Sequence, residues 1–222
     1  MTAPQGRGGG DPVTAGEEVG AGQAARRREA AVAGHLGDRA TARSLLADPA
    51  PVVRATALGA LERAGGLSVD DLVAAMADPA AAVRARAVEL AAARPGDEPP
   101  SLLAALRDPD PSVVEAAAWA SGERSPAEPG VVSLLATVTV SHDDPLCREA
   151  AVAALGALGD PDGLPAVLAA TRDRPAVRRR AVLALAPFAG PEVEAALERA
   201  RADRDWQVRQ AAEDVGRPGT GG

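Results

Sequence analysis

The amino-acid sequence predicts an all-α fold, an α-solenoid (superhelix) of about six helix pairs opened by an N-terminal half repeat. Three observations predict it. First, Asp48, Asp78, Asp108, Asp143, Asp173 and Asp203 recur at spacings of 30, 30, 35, 30 and 30 residues, and self-similarity at such a period marks a repeat array. Second, Arg54, Arg84, Arg148, Arg178 and Arg209 follow five or six residues after an Asp, each preceded by Val or by Cys147; Val114 replaces Arg in the third copy. Third, apolar and small residues fall four, five and eight places after that Val, as in Ala57, Leu58 and Leu61 or Ala181, Val182 and Leu185. That spacing lines one face of an α-helix. No run sustains strict alternation, so no sheet is expected.

Residues 1–22, rich in Gly, Thr and Pro, read as a disordered tail. Arg28 to Leu36 reads as a lone second-type helix, the half unit that opens the array. Each full unit then begins with a short apolar run, Leu45-Leu46 in the first copy, Leu102, Leu103 and Leu106 in the third, Val193 and Leu197 in the last. These runs are the first helices of the pairs. Turn signals such as Asp48-Pro49, Asp78-Pro79 and Asp108-Pro109 follow, where a carboxylate can accept free N–H groups and Pro suits a first-turn site. Gly65-Gly66, Gly159 and Gly190 punctuate the helix ends between units. Pro126, Pro129 and Gly130 stretch the step from the third to the fourth copy. In the final copy Glu213 stands where inner copies carry Leu58, Val88, Val152 or Val182, the polar outer side expected of a cap. The array therefore spans 23–216, with a second disordered tail at 217–222.

Composition agrees with stacked helices. Of 222 residues 54 are Ala, while aromatics number two Trp and one Phe, so small side chains must let neighbouring helices approach closely. There is no Lys, Asn or Ile, and all 24 basic residues are Arg. Their absence tracks AT-rich codons and predicts a bacterial, high-GC genome. A chain without Lys cannot be a P-loop nucleotide hydrolase, a protein kinase or a Schiff-base enzyme, each of which needs an ammonium at a fixed place. The net charge of −7 argues against a general nucleic-acid binder. Without an apolar signal core or an apolar run of spanning length, the sequence predicts a cytoplasmic chain, expected to be a monomer.

The two-helix unit, with Asp-Pro at its turn and Val-Arg-x-x-Ala-x-x-Ala-Leu in its second helix, resembles the HEAT repeat, specifically the variety first described in phycobilin lyases. Asp48 to Leu61 and Arg148 to Leu158 carry the resemblance best, and it covers about residues 24–216. It implies a right-handed solenoid whose second helices line an inner face, and a protein-binding scaffold in preference to an enzyme. Deoxyhypusine hydroxylase, a HEAT-like enzyme, builds a di-iron centre from His-Glu pairs. Here His35 precedes Leu36 and His142 precedes Asp143, so that site does not carry over. Three aromatics are too few to furnish a tetrapyrrole pocket, so a phycobilin-lyase-like or other cofactor-handling role is the weaker alternative, and no cofactor is expected.

The recurring residues read as a structural ladder. In it Asp48, Asp78, Asp108, Asp143, Asp173 and Asp203 cap backbone N–H groups and pair with Arg54, Arg84, Arg148, Arg178 and Arg209 of the same or the neighbouring repeat. Ser141, His142 and Asp143 are adjacent and point about 100° apart on a helix, which is no catalytic triad. Cys147 occupies a Val position and reads as a small buried hydrophobe, not a metal ligand. Residues 172–209 hold nine Arg against six acids, and residues 60–130 twelve acids against six Arg. This polarity predicts a protein partner oriented by charge, captured by Arg178, Arg179, Arg180, Glu115 and Trp119. DNA or RNA binding through the basic repeats is the third alternative. Trp119 falls outside the apolar stripe and reads as a plug in the gap beside the stretched turn, or as an aromatic anchor on the binding face. Trp206 reads as packing the last unit onto its neighbour.

Overall fold

The computed structural model describes residues 12–92 and 99–216. The chain divides after Leu67 into two compact units, and no strand occurs among the described residues.

The first unit contains α1 (Pro12–Leu36), α2 (Arg39–Ser44) with a 3-10 turn over Leu45–Ala47, and α3 (Pro51–Arg63). Gly37 ends α1 in the left-handed region (φ 71°), which Gly adopts without a Cβ clash, and the Asp38 N–H donates back to the Ala33 carbonyl at 2.9 Å. Asp38 then caps α2 by accepting from the Thr41 N–H. Helix α1 packs on α3; Ala30, Leu45, Val53 and Ala57 share one core cluster, while Leu58 and Leu61 are also buried. The helix begins at Pro12, so residues 12–22, which the sequence assigns to a tail, are helical. Pro at a first helical position and the Ala and Glu residues that follow favour helix locally, where a search for apolar periodicity finds none. Residues 1–11 and 217–222 lie outside the described residues, and so do the tail assignments made for them.

The second unit contains five pairs. They are α4 (Val69–Met76) with α5 (Ala81–Ala92), a 3-10 turn (Ala105–Arg107) with α6 (Pro111–Gly122), α7 (Val131–Ser141) with α8 (Pro145–Leu158), α9 (Leu164–Ala170) with α10 (Pro175–Ala184), and α11 (Pro191–Arg201) with α12 (Trp206–Gly216). The second helices α5, α6, α8, α10 and α12 pack side by side in that order. Leu72, Val88, Leu102, Val113, Leu135, Leu155 and Leu185 are almost wholly buried, each contributing about 1.5–3 kcal/mol of burial. Val208, Ala211 and Ala212 seat α12 on Val182 of α10, and Glu213 is exposed.

Two expectations are corrected here. The first helix of the third copy is reduced among the described residues to the single turn Ala105–Arg107, because Pro99-Pro100 removes two donors just upstream. Pro49, Pro79 and Pro109, which follow the recurring Asp, are not the first helical residues; α3, α6, α8 and α10 begin two or more places after that Asp, at Pro51, Pro111, Pro145 and Pro175. The Asp side chain instead accepts the N–H two residues on, as Asp48 does from Ala50 at 2.8 Å and Asp108 from Asp110 at 2.9 Å, an Asx turn that leads the chain into the helix.

Candidate functional site

The recurring Arg and Asp form two-way joints. In the second unit Arg84 Nη1 donates to the carbonyls of Asp78 and Pro79 in its own turn, while Nε and Nη2 fork onto both carboxylate oxygens of Asp108 in the next turn, each at 2.7 Å. Arg148 does the same to Asp173, and Arg178 to Asp203. These hydrogen bonds hold Asp108, Asp173 and Asp203 below the usual carboxylate range, and the arginines rise in turn. Within the first unit the Asp48 partner is Arg26 of α1, Nε to Oδ2 at 2.5 Å, a member the sequence search missed because α1 has no preceding Asp to mark it. Arg54 donates to the Asp48 and Pro49 carbonyls, and Asp78 accepts from the Ala80 N–H. Arg209, in the last helix, donates to the carbonyls of Asp203 and Arg204.

One joint is missing, and both of its halves are missing together. Arg148 Nη1 donates to the carbonyls of His142 and Asp143, six and five residues back, as Arg54 and Arg84 donate to residues six and five back. The residue in the Asp position of the fourth copy is therefore His142, whose Nδ1 accepts the Asp144 N–H at 3.1 Å. Asp143 is exposed and carries no rung. The Arg that would reach that position is Val114, which is buried. In this stretch Arg124 takes over bracing: it donates to the Ala91 carbonyl and lies 3.6 Å from Glu128, which accepts from the Ser101 hydroxyl and the Leu102 N–H. Burial lowers the Arg124 pKa. Cys147 is fully buried, its thiol facing the Pro111 carbonyl, and burial pushes its pKa up to about 11.

The arginine run of α10 does not act as one patch, because successive helical residues point about 100° apart. Arg178 is only 7% exposed and spent on the ladder, so it is withdrawn as a partner-binding residue. Arg179 borders a small hollow with Leu183 and Trp206. Arg180 faces another hollow and approaches Glu149 at 3.4 Å.

That second hollow, about 450 Å³, lies across α6, α8 and α10. Its α6 wall carries Glu115, Trp119 and Glu123; its floor is Gly122, Ala150, Ala153, Ala154 and Ala157; Leu146 stands at one edge. The floor is low because α6 and α8 touch through small residues: a Cβ on Gly122 would come 3.0 Å from Ala154 Cα. Trp119 is 49% exposed and Leu146 56%, so Trp119 does not plug the stretched turn. Trp206 is also open, at 65%, and does not pack the last unit down. The sequence already set Trp119 off the buried stripe; what it could not show was the hollow beside it.

Among the described residues no three His, Cys, Asp or Glu side chains converge as metal ligands would, and no helix is long and apolar enough to cross a membrane.

Three overlapping stretches, residues 69–150, 99–176 and 133–215, match the family model described as HEAT repeats. The match is to HEAT repeats at large and does not single out the phycobilin-lyase variety. No curated protein matches. Among solved structures, an engineered protein from the Northeast Structural Genomics Consortium aligns with 80% of this chain and 94% of its own, at 18% identity and a TM-score of 0.57. Human deoxyhypusine hydroxylase in complex with glycerol aligns with 86% of this chain and 77% of its own, at 22% identity and a TM-score of 0.46.

Proposed function

The chain belongs to the HEAT-repeat family, and from that premise we propose that it is a non-enzymatic scaffold that holds a protein partner on the surface of α6, α8 and α10. One observation carries the reading: a half-exposed Trp119 stands over a hollow floored by Ala and Gly. A large indole left beside open space forgoes burial that a partner can supply, and Trp is enriched among residues that dominate binding energy. The charged residues that recur through the sequence are engaged with one another in the ladder, which supports a structural use for them and not a chemical one. The same engagement weakens the nucleic-acid alternative, since it takes Arg178 out of the basic run.

The test is a comparison of partners recovered from the native host by the wild-type chain and by Trp119→Ala, with Trp206→Ala as control. Proteins retained by the wild type and by the control, and lost from Trp119→Ala at an unchanged melting temperature, support the groove. Identical sets of partners for all three chains overturn it.

A further inference from the structure

Resting on that reading, we infer that the hollow takes a peptide segment of the partner carrying an Arg or Lys whose cationic head lies on the Trp119 indole between Glu115 and Glu123. Glu115 and Trp119 on α6 and Glu123 at its C-cap are spaced four residues apart. One helical turn therefore separates the indole from a carboxylate on each side, about 6 Å along the axis. Among the described residues neither the Glu115 nor the Glu123 carboxylate has a hydrogen bond or ion pair. Glu123 also closes the C-terminal end of α6, where unpaired carbonyls add negative potential. Glu149 supplies a third carboxylate from α8, and Arg180 is the sole cation in the lining, which leaves the hollow with a net charge of −2.

Those features act on one ligand group together. An aromatic face attracts a cation through its quadrupole, and carboxylates one turn away can accept the remaining guanidinium or ammonium hydrogens. An acidic or purely apolar side chain placed there gains the indole and loses to the carboxylates. The volume, about 450 Å³, suits a few side chains of a segment, and the Ala and Gly floor lets its backbone approach. Arg180, beside Glu149 at the far wall, then meets an acidic residue of the same segment, which fixes its direction.

The experiment selects short randomised peptides displayed on phage against the full chain. Selected peptides are then titrated against the wild type, Trp119→Ala, and Glu115→Gln with Glu123→Gln, the last removing charge from exposed sites without loss of packing. The expected result is a basic residue at one shared position, with binding weakened about tenfold by the double Gln variant and more so at high salt. Peptides without a shared basic residue, or bound equally by the double Gln variant, while still lost from Trp119→Ala, overturn the cation and leave the scaffold reading standing. Selected peptides that bind Trp119→Ala as tightly as the wild type, or a selection that yields no binder, overturn both.

Discussion

Replacing Gly156 by Ala sets two known effects against each other at one atom. Ala is the better helix former by about 0.8–1 kcal/mol, and Gly156 lies inside α8. The added Cβ, however, would sit 2.6 Å from both Cα and Cβ of Ala184 on α10 and 3.1 Å from its carbonyl oxygen. Carbon atoms settle at about 3.5–4.0 Å, so the two helices must part by roughly 1 Å, and overpacking of that kind costs about 1–3 kcal/mol. The clash wins, and Gly156→Ala loses about 1 kcal/mol net. In the first unit Gly34 meets Ala60 Cα at 2.7 Å and behaves alike, whereas Gly122, at 3.0 Å from Ala154 Cα, comes out near neutral. Gly20, with nothing within 4 Å of its Cβ position, has only the propensity term and gains. Urea midpoints from circular dichroism rank the four variants. A Gly156→Ala chain as stable as the wild type, or a ranking unrelated to these distances, refutes the close-approach argument. Adding Ala184→Gly to Gly156→Ala should restore only part of the loss, because the contact with the Ala184 backbone remains.

Arg178→Ala removes two bonds to Asp203 and one to the Asp173 carbonyl and should cost about 2–3 kcal/mol in urea unfolding. Asp108, Asp173 and Asp203 have folded pKa values below the ordinary 3.8, so in acid the unfolded chain binds more protons than the folded one. Their stabilisation is complete above that ordinary value and is lost as pH falls through it toward the depressed folded values. Urea midpoints should accordingly be level down to about pH 5 and then drop, less steeply for Arg178→Ala; a variant with the wild-type slope refutes the assignment. Val114→Arg with His142→Asp rebuilds the missing joint. Val114→Arg alone buries an unpaired charge and should cost about 3 kcal/mol or more, and a double-mutant cycle should show that His142→Asp recovers about 2 kcal/mol of it. Strict additivity refutes the geometry.

The repeat architecture was legible because periodic features repeat in the chain itself: the Asp spacing, the Val-Arg pair and the helical stripe all point to the same pairs of helices. Where one copy departs, counting goes astray. Asp143 was the nearest Asp to the expected place, yet Arg148 reaches six residues back to His142, a position with no carboxylate to flag it. Arg26 was invisible for the converse reason, since α1 lacks a turn of its own to announce the motif. The exposure of Trp119 follows from its place off the buried stripe, but the hollow depends on the side chains of α8 and α10 that come beside it, and separation in sequence hides that. The close approach of Gly156 to Ala184 is a property of two surfaces, and neither residue alone distinguishes it from a helix-ending glycine.

Arg84, Arg148 and Arg178 each carry one grip for the carbonyls of their own turn and a second for the carboxylate of the turn that follows. Excision of the stretch holding α9 and α10 would bring Arg148 opposite Asp203, the same donor and acceptor as before. Such a chain can be shortened or lengthened by unequal recombination without new edges having to be invented. The boundary between Val114 and His142 is different: neither residue can form the fork, so a standard module set against either one would leave its own Arg or Asp without that partner, beside the very repeats that frame the Trp119 hollow.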